Sequence, residues 1–146
     1  MTSQTSSIVH VEHVFQATAE EVFDAWLDPA MLPHWMFNPD ICEESVDRIS
    51  IDPKPGGEFA FRVTRSGRQI EFRGSYRRIE RPRRLVFTWI SADNPVETVV
   101  DVTIEAFAGG CRLTLVHDLR VKDDKRAAQA KARWEAELGS LGGTIH

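Results

Sequence analysis

Residues 58–76 run Glu58-Phe59-Ala60-Phe61-Arg62-Val63-Thr64-Arg65-Ser66-Gly67-Arg68-Gln69-Ile70-Glu71-Phe72-Arg73-Gly74-Ser75-Tyr76. Phe59, Phe61 and Val63 alternate with Glu58, Arg62 and Thr64, the two-residue period of a strand with one buried face. Ser66-Gly67 supplies a tight turn, and Ile70, Phe72, Gly74 and Tyr76 resume the same period. The segment therefore predicts an antiparallel hairpin. Ile79 stands three residues beyond Tyr76, so the phase slips near Arg77-Arg78 and predicts a β-bulge.

The pattern extends outward in both directions. Upstream, Pro53-Lys54-Pro55-Gly56-Gly57 breaks the chain after a modest strand over Ser45 to Ile51, and one of its glycines is expected at positive φ. Downstream, Leu85, Phe87 and Trp89, then Val100, Val102 and Ile104, then Leu113, Leu115 and His117 give three more strands, the last two joined at Gly109-Gly110. Such short connections predict an antiparallel meander. Beyond Leu119 the spacing changes. Ala127, Ala130, Trp134, Leu138 and Leu141 form the stripe of a long amphipathic helix starting near Lys122, with Gly139, Gly142 and Gly143 expected to fray its end. At the other terminus, residues 1–7 read as a disordered tail. Val9, Val11, His13 and Phe15 then share a strand phase. Thr18 caps a short helix carrying Val22, Phe23 and Trp26, and Asp28-Pro29 starts a second with Met31, Leu32 and Trp35. The expected architecture is α+β: a curved antiparallel sheet of six to seven strands around the C-terminal helix, with two short helices after the first strand, in a single domain over residues 8–142.

Composition narrows the function. The chain has 146 residues, 42% hydrophobic and 27% charged, with a formal net charge of −4. That balance is ordinary for one globular domain and opposes nucleic-acid binding. The basic run from Arg77 to Arg84 reads as the solvated face of a strand and turn. The first residues, Met1 to His13, lack the basic and apolar regions of a signal peptide, and no apolar run reaches membrane-spanning length. A cytoplasmic location follows as the expectation. Cys42 and Cys111 lie far apart and read as buried free thiols. No two histidines stand at a helical i, i+4 spacing, so no metal and no cofactor are expected. A nucleophile elbow and phosphate-binding glycine patterns are missing as well.

Several motifs together resemble a known family. They are Ala17-Thr18-x-x-x-Val22-Phe23-x-Ala25-Trp26-x-Asp28-Pro29-x-x-Leu32-x-x-Trp35, Asp52-x-x-Pro55-Gly56-Gly57-x-Phe59, Phe72-x-Gly74-x-Tyr76, Pro82-x-x-Leu85-Val86-Phe87-Thr88-Trp89, Gly110-Cys111-x-Leu113-Thr114-Leu115-x-His117 and Trp134-x-x-x-Leu138. From about Val9 to Leu141 the chain resembles bacterial homologues of the activator of the heat-shock-protein-90 ATPase, in the START-like, birch-pollen-allergen-like superfamily. The resemblance implies a helix-grip fold with a cavity between sheet and C-terminal helix. The chain departs from the family pattern at Trp35-Met36, where a second tryptophan is common, at His13 in place of arginine, and at Arg133 in place of glycine.

Candidate site residues follow from phase. His13, Tyr76 and His117 sit on otherwise apolar strand faces, either as polar groups inside a cavity or as hydrogen-bonded core residues. Trp35, Phe59, Phe61, Phe72, Trp89 and Trp134, with Leu138 beside them, either pack a core or also line a cavity. Asp101 and Asp118 fall on the outward phase, so no acid–base pair is visible. The leading expectation is a non-enzymatic binding module for a small apolar or amphipathic molecule, acting as a monomer or weak homodimer. A chaperone-linked or stress-response domain with a protein partner is the alternative, and a cyclase- or hydratase-like enzyme ranks third.

Overall fold

Local sequence signals set each element of the computed structural model, which describes residues 6–36, 44–91 and 94–145. In chain order these are β1 (Ile8–Phe15), α1 (Ala19–Ala25), α2 (Leu32–Trp35), β2 (Glu44–Ile51), β3 (Glu58–Arg65), β4 (Arg68–Glu80), β5 (Arg84–Ser91), β6 (Asn94–Phe107), β7 (Gly110–Asp118) and α3 (Asp124–Thr144). The strands form one seven-stranded antiparallel sheet in the order β1-β7-β6-β5-β4-β3-β2, curved around α3. The expected helix-grip architecture is therefore present.

Turn chemistry explains the connections. Ser66 and Gly67 have φ of 51° and 78°, the double positive φ of a two-residue hairpin whose twist matches its strands. Gly56 has φ +85°, as anticipated for the Pro55-Gly56-Gly57 turn. The slip anticipated near Arg77-Arg78 is a register shift of β4 against β5 between Tyr76 and Arg78. Gly74 faces Phe59 across the β3–β4 ladder, and a Cβ there would come within 2.6 Å of the Phe59 ring. Its missing side chain gives that ring its place.

Helix starts follow capping rules, with one revision. Thr18 Oγ1 accepts from the Glu21 amide at 3.1 Å, and the Glu21 carboxylate accepts from the Thr18 amide at 3.3 Å, a reciprocal capping box. Asp28 does not cap α2. Its carboxylate accepts from the Ala30 amide at 2.9 Å and closes a separate turn, and α2 begins only at Leu32, with Pro33 in its first turn. Side chain–backbone turns compete with helix starts at such aspartates.

Two further expectations are corrected. Ser7, assigned to the disordered tail, is 4% exposed; its amide donates to Val121 O, its carbonyl accepts from the Leu119 amide, and its hydroxyl accepts from the Asp123 amide. It latches the start of β1 to the approach of α3. The glycines near the end of α3 do not fray it, because the helix continues to Thr144. Gly142 lies against β1, where an added Cβ would stand 3.4 Å from His13 Nε2 and 3.7 Å from the Phe15 ring. Packing on β1 holds the helix through these residues despite their low propensity.

Trp134, Leu138 and Leu141 form the buried stripe of α3. Burying each leucine removes enough apolar surface to contribute about 2 kcal/mol. The helix packs chiefly on β1 and α2. Cys111 is fully buried, and its burial, with the Glu20 charge as a smaller cause, pushes the thiol pKa up. Cys42 lies outside the described residues. On the outer surface, Arg77, Arg78, Arg81 and Arg84 of the basic run pair with Glu97, Glu80, Asp24 and Asp101. That run is a laced, solvated face.

Candidate ligand cavity

The aromatic residues on the inward phases divide into two groups. At one end Phe59, Phe61 and Tyr76 pack with Trp26 and Phe87 around a void of only about 10 Å³. Phe59 and Phe61 stack at 5.0 Å between centroids, and Tyr76 stands 5.3 Å from Phe59. This end is filled core. Burial, with the Asp52 charge as a lesser cause, pushes the Tyr76 phenol well above its ordinary range. It stays protonated.

At the other end a cavity of about 120 Å³ opens between the sheet and α3. Phe72 of β4, Trp89 of β5, His117 of β7 and Trp134 of α3 wall it, with Ala130 leaving room on the helix. Phe72 and Trp89 stack at 5.1 Å, and Trp89 meets Trp134 edge-on at 6.4 Å. A wider vestibule of about 440 Å³ shares Phe72, Trp89, His117 and Ala130 and extends past Thr98, Leu119 and Gln129. Aromatic walls with a few placed polar groups are the usual construction of a small-molecule site.

His117 is the most constrained polar group there. The Trp134 indole N–H donates to its Nδ1 at 3.1 Å. An indole nitrogen only donates, so Nδ1 carries no proton and Nε2 does. The Nε2–H then donates to Thr98 Oγ1 at 2.9 Å, and the Thr98 hydroxyl donates to the Trp89 carbonyl at 2.7 Å. The relay ties β5, β6, β7 and α3 together and occupies both ring nitrogens. Burial pulls the His117 pKa down from 6.5 to about 4, opposed weakly by Asp118. The imidazole is neutral at physiological pH, and it presents a ring face rather than a free nitrogen.

Of the ten candidate residues, Phe72, Trp89, His117 and Trp134 come together at the open cavity. Phe59, Phe61 and Tyr76 belong to the filled end. Trp35 and Leu138 are fully buried core, and the Trp35 indole N–H donates to the Ala25 carbonyl at 3.1 Å. His13 lies on β1 against Phe15, at 4.6 Å between ring centroids, and lines neither space. Partial burial lowers its pKa.

Of the charged lining, the sequence singles out only Arg133, as a departure from the family's glycine. Arg65, Arg133 and Glu137 border the cavity, together with Met36. Glu137 is 4% exposed, and its Oε1 accepts from Arg133 Nε at 2.8 Å. The Arg133 guanidinium also reaches the Met36 carbonyl at 3.4 Å. Positions 133 and 137 are i, i+4 neighbours beside Trp134 and Leu138, a pairing visible in the sequence had the buried stripe been drawn one column wider.

The comparisons with known proteins agree with this fold. No curated protein matches the chain. A solved protein from Rhodobacter sphaeroides shares 26% identity, covering 94% of this chain and 91% of its own, with a TM-score of 0.80. Protein CV1439 from Chromobacterium violaceum shares 20% identity over 94% of this chain and 96% of its own, with a TM-score of 0.78. CalU16 from Micromonospora echinospora shares 21% identity over 97% and 85%, with a TM-score of 0.69. The model of the Activator of Hsp90 ATPase homolog 1-like family matches residues 16–145. With nearly the whole chain matched and the helix-grip arrangement in place, this protein belongs to the Activator of Hsp90 ATPase homolog 1-like family.

Proposed function

We propose that the protein binds a small apolar or amphipathic molecule between the sheet and α3. The carrying observation is the cavity of about 120 Å³ walled by Phe72, Trp89 and Trp134, continuous in its lining with a vestibule of about 440 Å³. Its back wall is rigid, because the His117 relay leaves no ring nitrogen to recruit water. Native mass spectrometry of freshly purified protein, followed by thermal shift across lipids, flavonoids and polyketides, tests the reading. A co-purified small mass, or a melting temperature raised in proportion to ligand saturation, supports it. No shift across the panel, with a co-purified protein instead, favours the interaction-domain alternative.

Catalysis on the bound molecule is a second reading, favoured by Glu137. It is a carboxylate lining the cavity, of the kind the strand phases lacked. Its hydrogen bond from Arg133 holds the carboxylate in place beside the bound molecule. Turnover of a ligand found by mass spectrometry, lost in Glu137→Gln with binding retained, would establish it.

A further inference from the structure

The charged groups around the two connected spaces are unevenly distributed. Arg65, Arg126 and Arg133 line the vestibule, and among the described lining residues no carboxylate does. Glu137 lines only the inner cavity. Arg126 and Arg133 stand seven residues apart on α3, so both project along the face that carries Ala130. Arg65 approaches from the end of β3 on the opposite wall. Arg126 has Asp123 at 3.7 Å and Arg133 has Glu137 at 2.8 Å, yet both carboxylates lie outside the vestibule lining, so the mouth itself presents guanidinium groups on a chain of net charge −4.

We infer that the ligand is an amphipathic anion, with its apolar body between Phe72, Trp89 and Trp134 and its acidic group in the vestibule near Arg65 and Arg126. The inference rests on the binding reading above and adds charge and orientation to it. Inner Glu137 opposes an anionic group at depth, whereas guanidinium groups favour carboxylate and phosphate-like anions at the mouth.

Three probes of one shape test this: phenylbutyrate, phenylbutanol and phenylbutylamine, measured by calorimetry at neutral pH on the full chain. Phenylbutyrate should bind about tenfold more tightly than phenylbutanol, and phenylbutylamine more weakly than both. Added salt should shrink the advantage of the acid. The double variant Arg65→Gln/Arg126→Gln should bring the affinity ratio of phenylbutyrate to phenylbutanol, measured on the same variant, down to about one. Both substitutions avoid Arg133, which anchors Glu137, and a thermal melt of the variant confirms folding. Equal binding of alcohol and acid, or a preference for the amine, overturns the inference while the cavity reading stands. An acid preference that survives the double variant overturns the assignment to these arginines. Failure of all three probes to bind refutes the cavity reading and this inference with it.

Discussion

Acidifying the protein from neutral pH to about pH 4 should remove roughly 3 kcal/mol of folding stability through His117 alone. Burial lowers its folded pKa from 6.5 to about 4. Between those values the unfolded chain binds a proton that the folded chain does not. Stability therefore rises with pH through this window, is complete above about pH 6.5, and is lost as pH falls toward 4. Burial is the cause of the shift, and the Trp134 indole N–H aimed at Nδ1 is the contact that a protonated ring, carrying a second N–H there, would lose. His117→Gln removes the titration while keeping a donor and an acceptor. Urea unfolding of both proteins, followed by tryptophan fluorescence from pH 7 to pH 4, isolates the effect, because all other groups titrate in both. The advantage of the wild type over the variant should shrink by roughly 3 kcal/mol across that range. A difference that stays flat, or grows on acidification, would refute the neutral-imidazole relay.

Backbone predictions follow from the glycines. Gly56→Val forces a β-branched residue to φ +85° and should cost about 1–3 kcal/mol, read as a lower melting temperature. Gly139→Ala, at a helical position with open space for a Cβ, should instead stabilise by about 0.5–1 kcal/mol. In the cavity wall, Phe72→Leu should weaken ligand binding several-fold, measured by calorimetry, with the protein still folded.

Strands and helices were legible wherever a local period or cap decided them. Phe59, Phe61 and Val63 announce β3, Thr18 announces α1, and the step from Tyr76 to Ile79 exposes the bulge. What escaped depends on partners far along the chain. Ser7 is held by residues 119–123, and the end of α3 is held by contact of Gly142 with β1. The aromatic candidates were recognisable as inward-facing. Their division into a filled end around Phe59 and an open end around Trp89 depends on how far α3 lies from each strand, which no periodicity encodes. Glu137 falls outside the stripe of Ala127, Ala130, Trp134, Leu138 and Leu141, and what places it in the cavity wall is its neighbour Arg133 and the distant sheet.

Plugging the cavity tests the central claim most directly. Ala130 is half-buried on α3 and borders both the inner cavity and the vestibule. Ala130→Phe would place a ring where the ligand body is proposed to sit. For the tightest-binding compound found in the thermal-shift panel, calorimetry should show binding to the wild type and a loss of at least about tenfold in this variant, with cooperative unfolding preserved. Unchanged affinity in a folded Ala130→Phe protein would place the ligand elsewhere and contradict the account.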